Sequence, residues 1–134
     1  VNAYRGIITA PGKSLKVRAK AVKDLVLKMK NNYLKRAEQA DSIHAEIERS
    51  PYPVLVCGDF NDTPASYTYH QLRKGLTDGF RDCGSGYQYT FRQLCKLWRI
   101  DYVFYSEPLK GHECYSPETS YSVHNMVVWK GAIN

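Results

Sequence analysis

The chain has 134 residues and a mass of 15.4 kDa, which leaves room for one domain and not for two. Hydrophobic residues make up 43% of the chain and charged residues 24%, proportions of an ordinary globular protein that argue against disorder and low-complexity sequence. The longest apolar run, residues 53–57, is far too short to cross a bilayer, and no secretory signal opens the chain. We therefore predict a soluble protein, whose net charge of +6 favours anionic partners such as phosphodiesters or acidic lipids.

The four cysteines indicate neither a zinc site nor a thioredoxin-like motif, because their separations match no such pattern; they are residues 57, 83, 95 and 114. Cys57 lies in an apolar run, where a buried thiol is the expectation. Nothing in the spacing requires disulfides, so a reducing compartment such as the cytoplasm is favoured. A membrane anchor or signal upstream of Val1 stays open.

Residues 12–50 are predicted to be helical, because apolar residues recur there at steps of three and four. Asn31-Asn32 is the expected break if this stretch forms two helices. The first six apolar positions also fit a heptad seam, so a partner helix competes with our preferred prediction, an amphipathic helix that covers a sheet. The stripe consists of Leu15, Ala19, Val22, Val26, Met29, Tyr33, Ala37, Ala40, Ile43 and Ile47.

The chain then changes from helix to strand at Pro51 and Pro53, since proline cannot continue a helix. Residues 54–57 form a continuous apolar run, which predicts a strand buried on both faces. Thr63 or Ser66 can cap a short helix that ends at Gly75. Residues 77–83 are expected to add another helical turn or two.

Aromatic and β-branched residues dominate after residue 86, which predicts several strands. The order of a helix, a strand, short helices and then strands predicts an α/β (α+β) layer structure with a mixed or antiparallel sheet. The predicted late strands are residues 87–91, 99–105, 111–115 and 123–129.

Asp59 and Asn61 are the first candidates for catalysis, because they follow a predicted buried strand. If strand geometry continues through them, both side chains face one way while Phe60 enters the core. A carboxylate there could take a proton from water while the amide binds a substrate oxygen. The alternative is that residues 59–64 merely form a turn.

Asp101 and His124 are the second pair of candidates. An Asp in the middle of a strand is unfavourable, so Asp101 needs either an ion pair, for example with Arg99, or a histidine to orient. His124 opens the last apolar strand and is the best placed of the four histidines. An adjacent Asp101 would fix its tautomer and raise its basicity.

Three motifs in this order resemble the endonuclease/exonuclease/phosphatase superfamily, which includes the DNase I-like nucleases. They are Gly-Asp-Phe-Asn-Asp-Thr-Pro at 58–64, Arg-Ile-Asp-Tyr at 99–102 and Ser-x-His at 122–124. The resemblance implies that Asp59 activates or orients water, Asn61 binds the scissile phosphate, and Asp101 pairs with His124, which contacts a phosphate oxygen. It also implies Mg²⁺ or Mn²⁺ as the cofactor.

Two departures from the family pattern concern the metal and the length of the chain. Val123 stands where family members carry Asp, which leaves Asp59 as the candidate metal ligand. The early family motifs, including a metal-binding Glu, have no match, and Tyr4 stands where a His belongs. The resemblance therefore implies one half, the C-terminal one, of a four-layer αββα sandwich. Its domain plan has residues 1–14 as a lead-in, 15–50 as a helix or helix pair and 53–134 as the strands that carry the motifs.

The resemblance implies that the parent protein is a metal-dependent phosphoric ester hydrolase of the phosphodiesterase or endonuclease kind. Nucleic acid and phosphorylated lipid or inositol are the substrate classes it suggests. Half of a sandwich would expose the inner face of its sheet, so we expect this chain to self-associate or to need its N-terminal half for activity. The alternative is a non-catalytic, degenerate interaction module on the same fold, which Val123 and the missing Glu favour.

Overall fold

The computed structural model describes residues 15–93 and 97–134, and within them it contains three helices and five strands. The predicted lead-in at 1–14 and Cys95 lie outside these ranges. Two compact units divide the chain, residues 1–39 and 40–134. In chain order the elements are α1 (Leu15–Arg49), β1 (Leu55–Asp59), α2 (Tyr67–Arg73), β2 (Thr77–Asp78), α3 (Gly79–Cys83), β3 (Asp101–Tyr105), β4 (Leu109–Tyr115) and β5 (Val128–Ile133).

The strands form two antiparallel sheets. The first has the order β1-β3-β2, and its register places Asp59 at the end of β1 directly opposite Asp101 at the start of β3. The second is the β4-β5 pair, with a bulge between Gly111 and Glu113. The helix and strand content and the antiparallel sheets confirm the predicted α/β (α+β) class.

The hydrophobic core lies on one face of the first sheet, in the unit of residues 40–134. Alternate residues of β3 supply its aromatic centre, with Phe60 of the following turn stacked on Tyr102 at a centroid distance of 5.4 Å. Fully burying one such side chain contributes about 1.5–3 kcal/mol, so this cluster anchors the sheet. The buried members are Ala40, Tyr69, Leu72, Tyr102 and Phe104.

Several predicted local features are confirmed. Helix α1, Leu15–Arg49, lies within the predicted stretch at 12–50 and runs without a break through Asn31-Asn32. Of its predicted apolar stripe only Ala40 is buried, so the prediction that the stripe covers a sheet is not confirmed. Ser66 caps α2 by accepting a hydrogen bond from the Tyr69 amide. Gly75 follows with a φ of 70°, a left-handed conformation that glycine adopts without steric cost.

Other predictions about strands are wrong. Residues 87–91 contain no regular strand, and the last strand begins at Val128 instead of residue 123. Cys57 is predicted to be buried but is exposed, because among the described residues only the face of β1 that carries Val56 packs against the core. A continuous apolar run says that a strand forms but not whether both of its faces are covered.

A buried ion pair joins Arg99 to Asp78. Both Arg99 Nη atoms donate to the Asp78 carboxylate, at 3.0 and 2.8 Å, and the Tyr69 hydroxyl donates to it at 2.7 Å. Asp78 also caps α3 by accepting from the backbone amides of Phe80 and Arg81. Arg99 therefore pairs with Asp78, so the predicted ion pair between Arg99 and Asp101 is wrong. The Asp101 carboxylate is left available to another partner.

Candidate active site

Asp59 and Asp101 lie side by side because the register of the first sheet makes them opposite residues. Side chains of opposite residues in an antiparallel pair point to the same face, so both carboxylates project from one face at one end of the sheet. The turn after β1 stays attached there, since the Phe60 amide donates to the Ile100 carbonyl at 2.9 Å. Two strand ends thus place two carboxylates at one point.

His124 completes this cluster from a distant part of the chain. Its Nδ1 lies 3.0 Å from Asp101 Oδ2, and its Nε2 lies 3.9 Å from Asp59 Oδ2. A carboxylate only accepts hydrogen bonds, so the short contact requires the proton on Nδ1. The ring is therefore oriented by Asp101 and presents Nε2 toward Asp59.

The backbone around His124 is held by short hydrogen bonds and not by a strand. The His124 amide donates to Ser122 Oγ at 3.1 Å, and Thr119 Oγ1 donates to the His124 carbonyl at 2.8 Å. The Phe91 ring meets the imidazole edge-on, with centroids 5.2 Å apart. These contacts restrict both the position and the tilt of the imidazole ring.

Asn61 lies in the turn after β1, with an exposed side chain and a φ of 51°. The backbone amide of Asn61 donates to Asp59 Oδ1 at 2.8 Å. This Asx turn leaves Asp59 Oδ2 directed toward His124. The strand ends at Asp59, so the prediction that strand alternation carries on through Asn61 is wrong, although Phe60 does pack against the core. The turn alternative describes the backbone correctly, and it fixes the rotamer of Asp59 as well.

Tyr102 ties the turn to β3. Its hydroxyl lies 2.9 Å from the Asp62 carbonyl and 2.6 Å from the Arg99 carbonyl, so its single proton serves both. Burial raises the pKa of Tyr102 and keeps the hydroxyl protonated as a donor. The core residue of the Arg-Ile-Asp-Tyr motif thereby positions the loop that carries Asp59 and Asn61.

The cluster of Asp59, Asp101 and His124 is open to solvent on one side. The three side chains are 36%, 17% and 31% exposed, respectively. One ligand atom from each lies within 4.8 Å of the others, an arrangement that can hold a cation. Within residues 15–93 and 97–134, this is the one cluster of three or more acidic, His or Cys side chains with such spacing.

Two contacts of His124, those with Thr119 and Phe91, are not predicted by the sequence. Thr119 and Phe91 carry no motif signal, because their role follows from which backbone segments meet in the fold. Ser122 was visible as part of Ser-x-His, and its hydroxyl caps the turn that presents the ring. Val123, where family members carry Asp, is 44% exposed, and its side chain has no atom that could bind a cation.

The profile of the Endonuclease/Exonuclease/phosphatase family matches residues 22–120, about three quarters of the chain. The chain belongs to this family. Its members are generally hydrolases such as phosphatases, which agrees with a solvent-open cluster of two carboxylates and a histidine.

Solved structures share the fold at low sequence identity. An endonuclease/exonuclease/phosphatase from Bacteroides vulgatus is 23% identical with a TM-score of 0.64, covering 74% of this chain and 44% of its own. A functionally unknown conserved protein from Enterococcus faecalis is 21% identical with a TM-score of 0.68, covering 76% and 46%. A mannosyl-6-phosphatase from Bacteroides thetaiotaomicron is 21% identical with a TM-score of 0.59, covering 73% and 46%.

The chain therefore spans less than half the length of the structures it resembles. No match is found among curated proteins. Among the described helices, none combines the length and the apolar character needed to span a bilayer.

Proposed function

We propose that this chain carries the catalytic residues of a metal-dependent phosphoric ester hydrolase. The observation that carries the proposal is the arrangement of His124 between two carboxylates, one at 3.0 Å and the other at 3.9 Å. The contact between His124 Nδ1 and Asp101 is a hydrogen bond, whereas the 3.9 Å between His124 Nε2 and Asp59 is too long for one. A water molecule or a phosphate oxygen can therefore interact with Asp59 and His124 together.

Each side chain has a role in hydrolysis that its position supports. The Asp59 carboxylate takes a proton from a water whose oxygen attacks phosphorus, while the P–O bond to the leaving group breaks and that group takes a proton from solvent. The imidazolium form of His124 donates its Nε2 proton in a hydrogen bond to a non-bridging phosphate oxygen. Asp101 stabilises that cation and holds the ring, and the side-chain amide of Asn61 donates to a second phosphate oxygen.

The donor set fits a divalent cation of the Mg²⁺ or Mn²⁺ kind. Asp59 and Asp101 offer oxygen atoms within one cluster, as a hard cation prefers, and water and substrate would complete the coordination. The cation would supply neutralisation of charge on the phosphate group. Asp101 already uses one oxygen for His124, so Asp59 is the stronger ligand candidate, and Val123 removes a further carboxylate.

Phosphate-ester hydrolysis tests the proposal directly. We would measure the release of nitrophenol from bis(4-nitrophenyl) phosphate and from 4-nitrophenyl phosphate, together with plasmid nicking, with Mg²⁺, Mn²⁺ or EDTA. Asp59→Asn should abolish metal-dependent turnover, because the amide cannot accept the proton. Asp62→Asn is the matched control, since it removes the same charge from the same turn and Asp62 is not one of the three residues of the cluster.

The outcomes separate the candidate functions. Turnover that EDTA and Asp59→Asn abolish, with Asp62→Asn retained, supports the hydrolase. Equal activity in Asp59→Asn and the parent chain would refute the assigned role of Asp59. No activity even in a chain extended to the length of its structural neighbours would favour the non-catalytic interaction module. The relative rates on the two nitrophenyl esters and on DNA would distinguish a phosphodiesterase or nuclease from a monoesterase.

We further propose that β1 has a partner in the working domain. Leu55 is 49% exposed and Cys57, which lies two residues further on the same face of β1, is also exposed, and the structural neighbours contain more than twice the matched length. The remainder of a four-layer sandwich, or a second copy of this chain, would cover that face. A concentration-independent monomer mass from light scattering, combined with cooperative unfolding, would contradict this proposal.

A further inference from the structure

Thr90 connects the two segments that carry Asp101 and His124, although it lies in no regular strand. Its side chain is fully buried, and its Oγ1 accepts hydrogen bonds from the Ile100 amide at 3.0 Å and the Asp101 amide at 3.1 Å. The backbone carbonyl of Thr90 accepts a hydrogen bond from the backbone amide of Asn125 at 2.7 Å. One residue is thus bonded to the backbone of Asp101 and to the residue after His124.

The neighbours of Thr90 strengthen this connection on both sides. The amides of Thr90 and Phe91 both donate to the Trp98 carbonyl, at 2.9 and 3.0 Å. On the other side, the Arg92 amide donates to the Val123 carbonyl at 2.9 Å. The segment from Thr90 to Arg92 therefore lies between the Asp101 and His124 segments and sets the spacing between them.

The hydroxyl group is the part of Thr90 that this role requires. A hydroxyl oxygen has two lone pairs and can accept both amides, whereas a methyl group in its place leaves two buried N–H groups without an acceptor. The Asp101 amide belongs to the same residue whose carboxylate bonds His124. A shift of this backbone by a few tenths of an ångström would lengthen the 3.0 Å contact to His124 Nδ1.

We propose that Thr90 is a positioning residue that sets the Asp101–His124 hydrogen bond. It acts through the backbone of both partners and is buried away from the solvent-open side where substrate would bind. Its effect on turnover rests on the hydrolase function proposed above, but its effect on the geometry of His124 does not. The two consequences can therefore be measured separately.

The test compares Thr90→Val, which keeps the shape and removes the acceptor, with Thr90→Ser, which keeps the hydroxyl. Thr68→Val is the matched control, because Thr68 is also buried and its Oγ1 has no hydrogen-bond partner among the described residues. Selective ¹⁵N labelling of the four histidines reports which ring nitrogen of His124 carries the proton at a pH where the ring is neutral. Turnover of the nitrophenyl esters is measured on the same samples.

We expect the Nδ1-protonated form of His124 to dominate in the parent chain, in Thr90→Ser and in Thr68→Val. In Thr90→Val the two tautomers should mix, and kcat should fall by about 10–100-fold, the range for residues that orient a catalytic group. Thr90→Ser should restore kcat to within about threefold of the parent. A merely structural role would change the melting temperature without changing the tautomer.

The proposal is overturned if a folded Thr90→Val keeps the parental His124 ¹⁵N shifts, or if Thr90→Ser behaves like Thr90→Val. Should Thr90→Val not fold, Thr90→Cys replaces it, since sulfur is a weak acceptor of similar size. A parental tautomer and kcat in Thr90→Cys would then refute the requirement for a strong acceptor. Inactivity of every chain, also when each is extended to the length of its structural neighbours, would refute the proposed function, while the tautomer measurement would still decide the role of Thr90.

Discussion

Replacing Asp78 by Asn should cost this fold about 3–5 kcal/mol of unfolding free energy, the usual penalty for removing one partner of a buried ion pair. Asp78 is 2% exposed and accepts five hydrogen bonds, two from Arg99, one from Tyr69 and two from backbone amides at the start of α3. Asn keeps the shape and part of the cap. It loses the charge and one of the two oxygens that receive Arg99, and it leaves the guanidinium buried without a counterion.

The assay is urea unfolding of the parent chain and the variant, followed by far-ultraviolet circular dichroism. Asp41→Asn is the matched control, because Asp41 accepts a single exposed hydrogen bond from the Tyr67 hydroxyl at 2.6 Å. We expect it to cost less than about 1 kcal/mol. A loss below about 1 kcal/mol in Asp78→Asn, at an unchanged m-value, would refute the importance of the buried pair.

The same carboxylate predicts a pH dependence of stability. Burial by itself would raise the pKa of Asp78, but the hydrogen bonds from Arg99 and Tyr69 and the Arg99 charge outweigh it and hold the pKa below its ordinary value. A depressed pKa in the folded state means that the stabilisation is present above about pH 4 and is lost as the pH falls through the folded value. The stability of Asp78→Asn should therefore fall less steeply below about pH 4 than that of the parent chain.

Other variants and reagents test separate parts of the structure. Exposed Cys57 should react with iodoacetamide at least tenfold faster than Cys114, because burial raises the pKa of the Cys114 thiol to about 11, and peptide mass spectrometry reads the order. Gly131→Ala should cost about 1–3 kcal/mol in a thermal melt, since the new Cβ would lie 2.2 Å from the Trp129 ring and 2.6 Å from a backbone oxygen; an unchanged melting temperature would contradict the close packing of β4 on β5. Tyr102→Phe should lower kcat/KM by about tenfold, because the turn after β1 loses its hydrogen bond from the Tyr102 hydroxyl. Unchanged kinetics would show that the turn keeps its conformation without this hydrogen bond.

Sequence reasoning was most successful where local physics decides the outcome. The helical conformation of α1, the Ser66 cap and the left-handed Gly75 each depend on residues a few positions apart, so their signals lie within a short window. The motifs around Asp59, Asp101 and His124 were also visible, and they led to the family that the profile match shows. Which of these side chains act in catalysis stays a prediction.

Tertiary structure decided everything that depends on which segments meet. The strand register brought Asp59 opposite Asp101, and the irregular segment around Thr90 brought His124 to both, although the sequence indicated a regular strand there. Arg99 bonded Asp78 across 21 residues, a choice that spacing alone does not reveal. These contacts join distant residues, and a buried polar group satisfies its hydrogen bonds with whichever partner the fold brings near. The sequence determined the chemical groups and their local supports, and the fold determined their partners.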